Sequence, residues 1–137
     1  PPVELFRFSD HGACVAFLAA TLRKLTETES LANVALLTPD EALADVYFDG
    51  LSNAEVPDLR RVHGQRFAFK PGIDVVPAKE IKGLEFDYVV IVEASAAFWK
   101  DTPHHRRLMH VAATRAVHQL WLTSVGTPSP ILPKAEA

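Results

Sequence analysis

The chain has 137 residues, enough for one ordinary domain with a real core, and it is 48% hydrophobic and 23% charged, the composition of a globular protein. Fourteen Lys and Arg against seventeen Asp and Glu leave a net charge of −3, which excludes a surface that is basic all over, so any grip on nucleic acid must be local. No apolar run approaches the ~20 residues of a membrane span, Pro1-Pro2-Val3-Glu4 lacks the basic start of a signal peptide, and the single cysteine, Cys14, excludes an internal disulfide or a Cys-cluster zinc site and fits a reducing, cytoplasmic setting.

Residues 10 to 28 are predicted to form a helix. Ser9 or Asp10 can cap it, and Val15, Leu18, Leu22 and Leu25 recur at helical spacing. Asn33-Val34-Ala35-Leu36-Leu37 reads as a short buried strand. Thr38-Pro39-Asp40-Glu41 offers a cap, a proline at the first position and acids in the first turn, so a second helix starts here; Gly50 is expected to end it. Residues 51 to 65 are polar and irregular. Phe67 and Phe69 alternate as in a short strand over Arg66 to Lys70, Pro71-Gly72 signals a turn, and Ile73 to Val76 is strand-like. Lys82 to Phe86 reads as a loop or helical turn. Tyr88-Val89-Val90-Ile91-Val92 places five β-formers in a row, a central strand covered on both faces. Residues 104 to 118 are predicted helical and Leu120 to Thr123 form a last strand, before Gly126-Thr127-Pro128-Ser129-Pro130 stops regular structure. Strands alternating with helices predict an α/β fold, a mainly parallel sheet with helices on both faces, in one domain spanning residues 1–137.

Several chemistries are missing. There is no G-x-x-x-x-G-K-[ST] phosphate loop and no G-x-G-x-x-G. Ser95 sits in Glu93-Ala94-Ser95-Ala96, not in a nucleophile elbow. Cys14 lies in an apolar helical stripe, a core position. His104, His105, His110 and His118 match no common metal-ligand spacing. The basic clusters Arg60 to Arg66 and His104-His105-Arg106-Arg107 read as solvated surface. Two segments stand out. In Lys82-Gly83-Leu84-Glu85-Phe86-Asp87, a glycine between charges precedes the strongest strand; it either lets a backbone approach a ligand or simply turns the chain into the strand. Along the helix around Val111 to Ala116, steps of ~100° put Arg106, Arg107, His110, Thr114 and His118 on one wet arc. Arg115 falls outside it, on the side of Leu108, where an arginine needs an anion. That anion is an internal carboxylate such as Glu85 or Glu93, or a phosphate at an interface with another domain.

Lys82-Gly83-Leu84-Glu85-Phe86-Asp87 with Val89-Val90-Ile91 resembles motif V of the UvrD/Rep-type superfamily 1 helicases. Arg107-Leu108-Met109-His110-Val111-Ala112-Ala113-Thr114-Arg115-Ala116, with Leu120-Trp121-Leu122, resembles their motif VI, and order and spacing both fit. The ending Gly126 to Leu132 is most similar to the helicase IV-like branch. The resemblance covers about residues 73 to 132. It implies a RecA-like fold, the C-terminal motor domain called 2A, P-loop NTPase-like but without a P-loop, and part of a larger chain. ATP with Mg2+ would bind between this domain and an N-terminal RecA-like domain, which would hold the magnesium. Arg115 would be the arginine finger, Gly83 would lie near the γ-phosphate, and Glu85 would contact the ribose. Single-stranded DNA would be the track, with Lys79, Lys82, His110 and Thr114 as candidate contacts. Family members often carry Thr-x-His-Ser before the motif V lysine, where this chain has Pro77-Ala78-Lys79-Glu80-Ile81.

Two readings follow. In the first the chain is half of a helicase or translocase motor, with a role in DNA repair, inactive as an isolated piece. In the second it is a non-catalytic docking module for RNA polymerase or a repair protein, and Arg115 is structural. Arg115, Gly83 and Glu85 together favour the first. A stand-alone hydrolase lacks a nucleophile or metal constellation, and no feature suggests a membrane partner.

Overall fold

The computed structural model describes residues 1–134. Six strands form one parallel sheet in the order β1-β6-β5-β2-β4-β3: β1 Val3–Phe8, β2 Asn33–Thr38, β3 Leu59–Arg61, β4 Gly72–Pro77, β5 Phe86–Ile91 and β6 Ala116–Val125. Helices α1 (His11–Thr28) and α2 (Glu41–Asn53) cover one face, and α3 (Pro103–Ala113) covers the other. Parallel strands bury both faces, so their side chains alternate between two cores rather than between core and solvent. In β2, Val34 and Leu36 join α1 and α2 while Ala35 and Leu37 face α3; in β5, Tyr88 and Val90, with Val92 just beyond it, oppose Val89 and Ile91. The unbroken apolar run at 88–92 is thereby explained.

Each helix starts on a side-chain cap, because its first amides have no partner within the helix. Asp10 accepts from the Ala13 amide at 2.8 Å, Asp40 from Leu43 at 2.8 Å, and Thr102 from His105 at 3.1 Å, with Pro103 opening α3. The buried stripe of α1 holds Cys14, Leu18, Leu22 and Leu25. Burial raises the Cys14 thiol pKa, and its sulfur lies 3.9 Å from the Tyr47 hydroxyl. Among the described residues no helix is long and apolar enough to cross a membrane.

Several boundaries differ from the sequence expectations. β1 was hidden because it is a half-buried edge strand, parallel to β6 and distant from it in sequence. Gly50 does not end α2. It lies inside the helix beside Val15 of α1, where a Cβ would stand 3.4 Å from a methyl, an ordinary contact. The third helix stops at Ala113 rather than 118. The Thr114 hydroxyl closes its last turn by donating to the His110 and Val111 carbonyls at 2.9 and 3.0 Å, and the next residues enter the sheet as β6. Arg66 to Lys70 is a loop. Phe67 is buried, while Phe69 is 77% exposed at φ +53°. Arg60 braces this loop from β3, a strand within the polar stretch 51 to 65. It donates to Asp74 at 2.7 Å and to the Lys70 and Pro71 carbonyls at 2.8 and 2.9 Å.

That brace generates the first expectation. Gly72 has φ +135°, and a Cβ would stand 2.7 Å from both the Arg60 guanidinium and the Asp58 carbonyl. Gly72→Ala should cost about 2 kcal/mol or more, through a clash and a strained backbone together. A urea midpoint equal to wild type would show that the brace yields freely. The second concerns the thiol. Cys14 should react with a bulky thiol reagent more than about a hundredfold more slowly in the folded chain than in urea, since access requires opening of the core; equal rates would take Cys14 out of that core.

Candidate functional site

β4 and β5 are both parallel to β2, which lies between them. The chain must therefore return from the carboxyl edge of the sheet to its amino edge within residues 78–85. It does so across the α3 face, as one 3-10 turn at Ala78–Glu80 and a second turn at Lys82-Gly83. Gly83 adopts φ +83°, and a Cβ at this position would meet nothing within 4 Å. Its backbone is thus turned in a way that disfavours side chains and lies open to an approaching group.

At the end of this crossover the Phe86 amide donates to the Arg115 carbonyl at 2.9 Å, and Phe86 stands opposite Ala116 in the β5–β6 register. One backbone hydrogen bond thereby seats the start of β5 beside the turn that leaves α3. Gly83, Glu85 and Arg115 share the amino edge of the sheet. Glu85 is exposed and Arg115 half-buried. The arginine is not on the apolar side of a helix, as its periodicity suggested, because α3 ends two residues earlier. Its Nε donates to the Val111 carbonyl at 3.1 Å and one terminal nitrogen to the Thr114 hydroxyl at 3.3 Å. Among the described residues it forms no ion pair with any carboxylate. Most of the donors of a guanidinium fork therefore remain unused by the chain.

The carboxylates considered as partners lie otherwise. Glu93 follows β5 at the opposite, carboxyl edge, buried and at φ +53°. It accepts from the Tyr47 hydroxyl at 2.7 Å, with His11 Nδ1 at 3.9 Å. Burial first, and that hydrogen bond second, push the Tyr47 pKa far up. Glu85 is on the same edge as Arg115 but makes no ion pair with it. Among the described residues no group of three or more His, Cys, Asp or Glu is placed to hold a metal ion.

The four candidate nucleic-acid contacts separate into two pairs. Lys79 and Lys82 line a pocket of about 210 Å³ between the crossover and α3, together with His104 and Arg107; Ala78, Leu108 and Val111 complete its lining. His110 and Thr114 lie round the helix in a different pocket, of about 530 Å³, with Arg106 and the tail segment Pro130–Pro133. Arg107 and His104 belong to the basic cluster expected as solvated surface, and both are exposed. Their spacing with Leu108 and Val111 (i, i+3, i+4, i+7) is the signal that marks a shared helix side. Arg106, by contrast, is spent on Asp101 at 2.5 Å. That contact holds the exposed Asp101 carboxyl below its usual range.

Residues 73–123 match the family described as the UvrD-like helicase C-terminal domain; the match spans β4, the crossover, β5, α3 and most of β6. Among solved structures, the chain is similar to the C-terminal domain of a "possible DNA helicase" from Lactobacillus plantarum WCFS1, at 25% identity and TM-score 0.75, covering 99% of this chain and 80% of that one. It is similar in fold to a DEAD box protein from Methanococcus jannaschii, at 14% identity and TM-score 0.68, covering 91% of this chain and 40% of the other. It also resembles the UvsW helicase from bacteriophage T4, at 10% identity and TM-score 0.62, covering 88% and 46%. A comparison with curated proteins returns no match. The six-stranded parallel sheet with helices on both faces is a RecA-like α/β fold, shared with helicase domains.

Proposed function

We propose that this chain is the second motor domain, 2A, of a larger ATP-driven superfamily 1 DNA helicase or translocase, and that Arg115 is its arginine finger. The observation that carries this reading is the amino edge of the sheet. An arginine without a carboxylate partner, an open left-handed glycine and an exposed glutamate are tied together there by the Phe86–Arg115 hydrogen bond. A domain that used Arg115 only for structure would pair it internally, since an unpaired, half-buried guanidinium has no reason to be held at an edge.

On this reading ATP lies between this edge and an N-terminal RecA-like domain of the same parent chain, whose phosphate loop and magnesium-binding acids complete the pocket. Magnesium arriving with the nucleotide would neutralise phosphate charge from that other side. Gly83 lets the crossover backbone come close to the γ-phosphate, the Glu85 carboxylate accepts from ribose hydroxyls, and Arg115 donates to the oxygens that gain charge during phosphoryl transfer. Nucleotide-driven closing and opening of the two domains then steps the enzyme along single-stranded DNA. The ending Gly126 to Leu132 supports placement in the helicase IV-like branch, with cytoplasmic DNA repair as the setting.

Two outcomes are expected. The 137-residue chain, pure and alone, should show no ATP turnover, because half the pocket is missing; measurable turnover would sink the reading. In the parent chain, Arg115→Ala should lower nucleic-acid-stimulated ATPase by roughly a hundredfold or more, with folding and nucleotide binding largely kept. Unchanged turnover would instead favour a docking module for RNA polymerase or a repair partner.

A further inference from the structure

Thr114 is the first residue beyond α3. It is exposed, yet its side-chain oxygen is engaged by the chain itself. The hydroxyl donates to the His110 carbonyl at 2.9 Å, with the Val111 carbonyl at 3.0 Å. A hydroxyl carries one proton and two lone pairs. The proton is committed to these carbonyls, so the oxygen offers other groups only lone pairs. Arg115 takes one of them: its Nη2 donates to Thr114 Oγ1 at 3.3 Å. A phosphodiester has only acceptor oxygens and finds no free proton on this hydroxyl. A direct contact to nucleic acid is therefore poorly matched to the chemistry of Thr114.

The other anchor of Arg115 is Nε, on the Val111 carbonyl at 3.1 Å. A guanidinium is planar, and Nε and Nη2 present neighbouring hydrogens along one side of it. Both are taken by the last turn of α3. The donors that remain, both on Nη1 and the other on Nη2, line the end of the fork, the edge that pairs with two oxygens of one phosphate. A contact at Nε alone leaves the plane free to turn about that bond. The Thr114 contact removes this freedom, because two hydrogen bonds to fixed acceptors define the plane. The acceptors are held independently of the hydroxyl. The Thr114 amide donates to the His110 carbonyl at 3.1 Å, and the Arg115 amide to the Ala112 carbonyl at 3.2 Å. Removing the oxygen alone would thus leave the end of α3 in place and loosen only the arginine.

We propose that Thr114 is a positioning residue for Arg115: its hydroxyl fixes the plane of the guanidinium so that the free end of the fork meets the transferring phosphoryl group. The proposal rests on the reading of Arg115 as the arginine finger. The test is nucleic-acid-stimulated ATPase of the parent chain, with kcat and the KM for ATP read separately. Affinity for a labelled oligo-dT and thermal melting by circular dichroism are measured on the same variants. Thr114→Val keeps the branched shape and loses only the hydroxyl. It should lower kcat about tenfold, since misplacing a reacting group acts on the chemical step. KM for ATP, oligo-dT affinity and melting temperature should stay close to wild type. Thr114→Ser, which restores the oxygen, should keep at least about half of the wild-type kcat. On an Arg115→Ala background, Thr114→Val should cost nothing further, because no guanidinium is left to place. Wild-type kcat in Thr114→Val, a failure of serine to rescue, or equal losses with and without Arg115 would each overturn the proposal. So would a loss of oligo-dT affinity in both backgrounds, which is the mark of a nucleic-acid contact. Unchanged turnover in Arg115→Ala sinks the finger reading itself. A large fall there with none in Thr114→Val overturns the positioning role alone.

Discussion

The crossover between β4 and β5 is the constraint from which the arrangement follows. Parallel strands need a return path of a dozen or more residues, usually a helix. Here residues 78–85 must travel back along a six-residue strand and sideways past β2. That is about 20 Å one way and about 10 Å the other, against a reach of roughly 28 Å for eight extended residues. The straight-line span is about 22 Å, so eight helical residues at about 12 Å would fall short, while an extended path has a few ångströms to spend on turns. It lies flat against the sheet, makes one short 3-10 turn at Ala78–Glu80, and turns once more at Gly83. Because it is mostly extended, Lys79 belongs to the carboxyl edge and Glu85 to the amino edge. The groove beside α3 is the space that such a thin crossover leaves, where a full helix would have filled it.

The amino edge depends on that path. The Phe86 amide reaches the Arg115 carbonyl only because the crossover delivers β5 beside the turn that leaves α3. The same turn frees Arg115 from the helix. Its guanidinium is held by one carbonyl and one hydroxyl, both uncharged. Neutral acceptors orient an arginine without cancelling its charge, whereas a carboxylate would do both. That difference separates an arginine kept available from one used as a brace, and Arg60, locked by Asp74 and two carbonyls, is the brace in this fold.

Local signals in the sequence carried the cap at Asp10, the buried central strands and the parallel architecture, because each depends on a few neighbouring residues; the second helix starts two residues later than Thr38-Pro39 suggests, on Asp40. What the sequence withheld depends on distant ones. β1 looks like a mixed polar segment until it pairs with β6, more than a hundred residues away. Gly50 reads as a stop, yet α2 continues to Asn53, its buried Leu51 held in the core. The periodicity of α3 runs on past Ala113 in the sequence, yet Ala116 is claimed by the sheet. That Gly83, Glu85 and Arg115 share the amino edge is a consequence of strand register, which motif order alone does not contain. The solvated reading of His104 and Arg107 agrees with their exposure, and what it could not give is the neighbour they share. The helix presents two wet sides, and only the path of the crossover decides which one becomes a groove.

That division gives α3 two ends with different neighbours. Its first half lines the groove through His104, Arg107 and Leu108, and its carboxyl end leads directly to Arg115. Eleven helical residues span about 16 Å, and Met109 and Ala112 fix the helix to the sheet through the core. A helix so packed moves as a unit or not at all, since interiors resist local deformation. Any shift of its first half therefore shifts the turn that holds Arg115. Lys82 and Gly83 make the same connection along the crossover, one residue apart. Two covalent paths, one through α3 and one through the crossover, join the groove to the edge where Arg115 stands.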